Sequence, residues 1–362
     1  MQTQMTSWDR PFTSFAAVAV AALIAGSVFP SDVAAQATQG AGVPPALKGL
    51  YDAAVKEGGG VRIYSQIVPT TLESLGQEWN RRFPGVKLES VRLTTAPMIE
   101  RVNAEFASGK PVADVVMVSD SVWPEDLHSA GRIAEYKIDS YSSWPSQYKR
   151  DGFYFVSQLY VSGIFYNPRK VSPAEAPKTY LDVFKFGKRA NLADPRGGGG
   201  NATIMFGTMQ MYGESFWKQA AAAEVQYSQS VAQATPSIIS GDMSVAIHTH
   251  SFPACEEAAG KPVKAVYPAE GVWSTPAVTF GTKGASRPRG AELFLAYMMS
   301  EEGQSYINVR DCTYSVRPGV KLNSALPPLS ALKVINITPE QWRKQGREYR
   351  SIASKAAGIP LN

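Results

Sequence analysis

Histidine and cysteine are scarce in this chain, with three of one and two of the other among 362 residues. The two cysteines, Cys255 and Cys312, form no CxxC pair, so neither a zinc knuckle nor a thioredoxin-type redox site is supported. No GxSxG elbow, HExxH helix or GxxxxGK[ST] loop occurs. Those absences remove the usual serine-hydrolase, zinc-protease and phosphate-loop signatures and leave a secreted hydrolase as a remote alternative. Basic residues are not clustered with aromatics, which argues against nucleic acid. There is no internal repeat and no low-complexity linker. After residue 37 no apolar run is long enough to span a bilayer.

What is present begins with an address. Arg10 precedes an apolar run from Phe15 to Phe29, and Ala35-Gln36-Ala37 has the small-residue spacing of a cleavage site. Residues 1–37 therefore read as a secretory signal peptide, with an uncleaved anchor as the minor alternative. Its removal takes the formal charge from +5 (36 − 31) to +6 (35 − 29), because Arg10 leaves with Asp9 and Asp32. A mildly basic exported protein fits an anionic ligand, or simply good solubility. Export also makes a Cys255–Cys312 disulfide plausible, against the alternative of two buried thiols.

The mature region alternates strand-like and helix-like segments. GVRIYSQ (60–66), VKLESVRL (86–93) and ADVVMVSD (113–120) read as strands, separated by helices in which, for example, Leu72, Leu75, Trp79 and Phe83 share one face. That order implies a parallel sheet, whose ligands sit beyond the carboxyl ends of the strands. Those ends carry Ser65-Gln66 and Ser119-Asp120. A long aromatic and β-branched run (155–171) then leads to a second α/β unit, and the chain returns to the first near 272–284. The expected division is lobe 1 over 38–158, lobe 2 over 159–272, and a return with C-terminal helices over 273–362. Two crossings of this kind make a hinge over a shared cleft.

In this order and spacing, ADVVMVSDSVWPEDLHSAGRIAEY (113–136), NLADPRGGGGNATIMFG (191–207), SVAI (244–247), VYPAEG (266–271) and RGAELFLAYMMSEEGQSYI (289–307) resemble the periplasmic substrate-binding proteins of ABC importers. The chain is similar in particular to extracellular solute-binding proteins grouped with ferric-ion, thiamine and phosphonate or sugar-phosphate binders. The resemblance implies a type II α/β fold of two lobes, with two crossover strands as hinge. It further implies no enzymatic activity, no cofactor, a monomer, a periplasmic location and an ABC-type inner-membrane permease as partner.

The resemblance also places the glycine run 197–200 before a second-lobe helix whose N-terminus faces the cleft. The bare amides of Gly199, Gly200 and Asn201, with the hydroxyl of Thr203, would then meet an anionic oxygen group. A flexible surface turn is the plain alternative. Ferric binders of the group use a tyrosine pair after the strand matching SVAI, whereas this chain reads His248-Thr249-His250-Ser251 there. Hard Fe(III) favours phenolate and carboxylate oxygen over imidazole.

His248 and His250 alternate on what reads as a strand, so both are expected on one face at the rim, donating to a solute or, with Asp120, ligating a metal. Satisfied core histidines are the plain alternative. Ser65, Gln66, Ser119 and Asp120 are the candidate first-lobe contacts, Asp120 for an amino group or as a helix cap. Ser251, Glu270 and Trp273 complete the set, Trp273 either stacking on the solute or packing the hinge. Tyr166 reads equally as cleft or core, and His128 as helix surface. The expected solute is a small oxyanion such as a phosphonate, phosphate ester or carboxylate, with Fe(III) or another metal as the alternative.

Overall fold

The computed structural model describes residues 42–361; the leader expected over residues 1–37 lies outside them. Leu72, Leu75 and Trp79, three and four residues apart, are buried along one face of a helix at Pro69–Arg82. Pro69 opens that helix at a position where its missing N–H costs nothing. Trp79 packs against Phe83, Phe294 and Tyr297, and its indole N–H donates to the Val86 carbonyl at 2.6 Å. Each fully buried side chain of this size contributes about 1.5–3 kcal/mol.

In chain order the first half runs α1 (Lys48–Glu57), β1 (Gly60–Ser65), α2 (Pro69–Arg82), β2 (Lys87–Arg92), α3 (Thr95–Ala107), β3 (Val115–Val118), α4 (Trp123–Ser129), the short β4 (Lys149–Arg150) and β5 (Tyr154–Tyr166). The second half holds β6 (Ala190–Ala193), α5 (Gly200–Tyr212), α6 (Glu214–Ala222), β7 (Gln226–Ser228), α7 (Val231–Ser240), β8 (Val245–Thr249), α8 (Ser251–Ala258) and β9 (Lys264–Val266). The chain ends with β10 (Val272–Gly281), α9 (Pro288–Met299), α10 (Glu301–Arg310), β11 (Val334–Ile335) and α11 (Pro339–Ala356).

The strands form one path, β2-β1-β3-β10-β5-β8-β6-β7. At one end β2 and β3 flank β1 in parallel, and at the other β7 and β8 flank β6 in parallel. Between them run two long antiparallel strands. β5 pairs with β10 along residues 154–161 and with β8 along 162–166. β10 in turn pairs with β3. Two lobes follow, each with its own core: Trp79, Phe83, Phe294 and Tyr297 centre one, and Phe206, Phe216, Trp217 and Trp273 the other. A smaller cluster containing Leu159, Val161, Cys312 and Tyr314 lies where β5 passes between them.

Strand β10 carries the chain back to pair with β3 of the first lobe, and a third passage follows it. Helix α11 packs on α5 and α6 of the second lobe, where Phe206 meets Trp342 at 5.1 Å and Tyr349 at 5.0 Å. From there Arg343 reaches back to Glu125 and Asp126 of α4 in the first lobe, in exposed ion pairs of 3.0 and 2.9 Å. Among the described residues no helix is long and apolar enough to cross a membrane.

Cys255 and Cys312 form a disulfide, 57 residues apart in sequence. It joins α8 of the second lobe to the turn that ends α10 of the first. Closing a loop of that length in the unfolded chain is worth on the order of 4 kcal/mol. The C255S/C312S double variant should lose about that much in guanidinium unfolding, with a steeper slope as the unfolded chain expands; a loss under about 1 kcal/mol would show that the bridge does not restrain the unfolded chain.

Candidate functional site

Helices that follow parallel strands start at the strands' carboxyl ends, and their first turns carry amide N–H groups with no partner inside the helix. Five such starts meet at one cavity of about 80 Å³. Its wall includes Val68 before α2, Thr94 and Thr95 at α3, Gly200 and Asn201 at α5, Ser230 and Val231 at α7, and Ser251 at α8. None of these five helices has a side chain bonded at its cap. Of the other helices α1 and α6 also lack a bonded cap, and at the remaining four the protein supplies acceptors itself. Asp120 takes the amides of Val122 and Trp123 at α4, Glu57 those of Arg289 and Gly290 at α9, Ser300 that of Gly303 at α10, and Thr338 that of Gln341 at α11. The cavity is thus a place where oriented donors collect and acceptors are withheld.

The remaining wall is polar. Arg92, the last residue of β2, donates from Nε to the Ile67 carbonyl at 3.2 Å, and among the described residues it forms no salt bridge. Burial holds its pKa below the ordinary arginine value, partly offset by the negative charge of Asp311. Asp311 is only 3 % exposed, and desolvation pushes its carboxyl up to about 6. Both terminal atoms of Gln66 and the hydroxyl of Thr275 are buried without a hydrogen-bond partner. Thr275 and Ser119 also border a second chamber of about 40 Å³, lined in part by Asp120, Gly199, Thr203 and Trp342.

The glycine run does border the cavity, through Gly198 and Gly200. Gly199 is the residue before α5, at φ 60°. A Cβ there would come within 2.7 Å of Thr95 Oγ1 and 3.1 Å of Ser119 Cβ, so the loop lies directly against the first lobe. At Gly200 a Cβ would meet Thr249 Cγ2 at 2.5 Å. Asn201 serves the loop itself, its amide donating to Ser228 O at 3.0 Å, and Thr203 donates to Gly199 O at 3.2 Å.

Gln66, Ser119 and Ser251 line the main cavity, whereas other expected contacts lie elsewhere. Ser65 is fully buried and its hydroxyl accepts from the Ile67 amide. Asp120 caps α4 and borders only the second chamber. Glu270 accepts from the Tyr180 amide at 2.7 Å, and Trp273 stacks on Tyr180 at 4.6 Å within the second-lobe core. Tyr166 is buried in the same core.

The histidines are displaced for a clear reason. The strand ends at Thr249 and the backbone turns helical at His250, so the alternation that would put both on one face stops between them. Thr249 and Ser251 face the cavity instead, and both histidines are buried. His250 Nε2 donates to Ile164 O at 2.8 Å while its ring abuts Gly163 and meets Tyr267 edge-on. Among the described residues no group of three or more His, Cys, Asp or Glu side chains is placed to hold a metal, so His248, His250 and Asp120 do not assemble into the alternative metal site. Arg92, Tyr160, Gln229, Ser230, Thr275 and Asp311 line the cavity without having been singled out in the sequence.

A two-lobed α/β protein whose polar cavity lies at the ends of both parallel sheets is built to enclose a small polar molecule. The chain belongs to the bacterial extracellular solute-binding protein family, whose model matches residues 64–305. No curated relative matches it. Among solved structures it is similar to the periplasmic binding protein AfuA from Actinobacillus pleuropneumoniae, solved with exogenous fructose-6-phosphate bound, at 20% identity over 83% of this chain and 98% of that one, TM-score 0.70. It is also similar to iron-bound HitA from Pseudomonas aeruginosa (19%, 82% and 99%, TM-score 0.69) and to a periplasmic thiamin binding protein (17%, 82% and 96%, TM-score 0.69). At such identities the likeness is one of fold.

Burial holds the pKa of His248 down to about 3 and that of His250 to about 4. Both stay neutral in the folded protein where the unfolded chain, with pKa near 6.5, takes up protons. Folding stability should therefore fall as pH drops below about 6.5, with two extra protons bound on unfolding near pH 5. Urea unfolding of H248Q/H250Q between pH 5 and 7 should show a shallower pH slope than the parent; equal slopes would place these protons elsewhere.

Proposed function

We propose that the protein is the exported solute receptor of an ABC importer and that its solute is a small oxyanion-bearing molecule: a phosphate ester, phosphonate or carboxylate. The observation that carries this reading is the meeting of five helix N-termini without side-chain caps with the unpaired Arg92 at one cavity. Partial positive charge at each helix start and a full one on Arg92 favour an anion, and the buried setting reduces screening. Fructose-6-phosphate in AfuA is a solute of that chemistry.

No histidine lines the cavity, and enclosure between the lobes requires no bond to be made or broken. The two strands linking the lobes provide the hinge for closure, and the closed form is the one presented to an inner-membrane permease. Export through the N-terminal leader places the receptor in the periplasm, where it works as a monomer.

Calorimetric titration of the purified protein with inorganic phosphate and with simple phosphate esters tests the reading. Arg92→Gln should weaken such binding about 10- to 100-fold, the worth of a charge-assisted hydrogen bond. Gly199→Val, with a branched side chain forced to a positive φ against Thr95 and Ser119, should weaken it at least about tenfold. Affinities unchanged by Arg92→Gln, or tight iron in metal analysis of the purified protein with no response to phosphates, would replace the oxyanion by another solute.

A further inference from the structure

The cavity contains a feature that an anion alone does not explain. Asp311 ends α10 and is buried in the same wall as Arg92. The Gln158 amide donates to its Oδ2 at 2.8 Å, and the Tyr160 hydroxyl lies 2.9 Å from the same atom. Tyr160 itself lines the cavity, and among the described residues Asp311 forms no salt bridge. A buried carboxylate with no cation in direct contact costs several kcal/mol, and the charge of Arg92 in the same wall offsets only part of it. Here it also opposes the anion that the helix starts attract. A site selecting an oxyanion with no proton to donate, such as sulfate, would gain by having an uncharged residue at this position.

Two further groups show that the occupant is more than a sphere of acceptors. The Gln66 amide has buried, unpartnered atoms of both kinds, one donor and one acceptor, and the Thr275 hydroxyl, 3 % exposed, is also unpartnered. Both residues line the cavity with Asp311. An occupant offering a donor as well as acceptors would satisfy all three residues.

Resting on the oxyanion reading above, we infer that the solute is a small zwitterion, its oxyanion held by the helix starts and Arg92 and a protonated amine held by Asp311. An amine is favoured over a hydroxyl because only a cation neutralises the buried carboxylate. Asp311 is then the residue that sets specificity, and free phosphate, abundant wherever organic phosphates occur, competes poorly.

The test uses a matched pair of probes, ethyl phosphate and 2-aminoethyl phosphate, with 2-hydroxyethyl phosphate and inorganic phosphate beside them, titrated calorimetrically at pH 7.5. The unmodified protein should bind the amine at least about 30-fold more tightly than ethyl phosphate. Asp311→Asn should bring that ratio to within about threefold. The first comparison needs no variant, so a folding defect in Asp311→Asn does not decide the matter. Equal affinity for the two esters, a hydroxyl ester as tight as the amine, or a ratio that survives Asp311→Asn overturns the zwitterion while the oxyanion reading stands. Failure of every phosphate probe overturns both.

Discussion

Peptide N–H groups at the start of a helix need acceptors, and burying them without any costs free energy that the helix itself cannot return. The arrangement of this protein turns on where that need is met. In each lobe the helices run back from the carboxyl ends of parallel strands, so their starts project to the same side of the sheet. Because β5 and β10 hold the two sheet halves in one path, the two sets of starts converge. At α4, α9, α10 and α11 the protein's own carboxylates and hydroxyls accept from the helix starts; at the five starts lining the cavity no side chain does. Arg92, Gln66, Thr275 and Asp311 then give that convergence its charge and shape.

Much of this layout was legible in the sequence, because strand and helix carry different periods and the parallel order predicts the rim. The segments read at 60–66, 86–93 and 113–120 became β1, β2 and β3 within a residue or two at most ends. The same rim rule reaches Arg92 at the end of β2 and Ser230 beyond β7, where it was not applied. Asp311 had no such signal. It follows a helix, not a strand, and arrives at the cavity only because α10 packs on α2 and the chain then turns toward β5. Trp273 was ambiguous for a related reason: aromatic size suits stacking on a solute and filling a core equally, and Tyr180 decides for the core.

The histidines show how sharply a strand end controls chemistry. Alternation along SVAIHTHS is a sound argument only while the backbone stays extended, and one helical residue at His250 ends it. The side chains that reach the cavity are the hydroxyls of Thr249 and Ser251, while the imidazoles are buried nearby. Two groups able to titrate near neutrality are thereby replaced by two that do not. Cavity polarity consequently rests on permanent dipoles, Arg92 and Asp311, a composition suited to holding a charge.

The glycines serve a second need, distinct from offering amides. Gly198 and Gly199 lie where Thr95 and Ser119 of the opposite lobe leave little room for a Cβ, so the loop that borders the cavity is also a close approach between lobes. The two requirements are coupled. A side chain here would hold the lobes apart and at the same time draw the α5 start away from any occupant. On the far side of the cavity the Cys255–Cys312 bridge joins α8, whose first residue lines the wall, to the turn following Asp311. Cavity width is therefore bounded from both sides, by bare backbone contact at Gly199 and by a covalent link beside Asp311. A cavity held in this way ties the spacing of the lobes to the groups that line it, the α5 start at one side and Asp311 at the other.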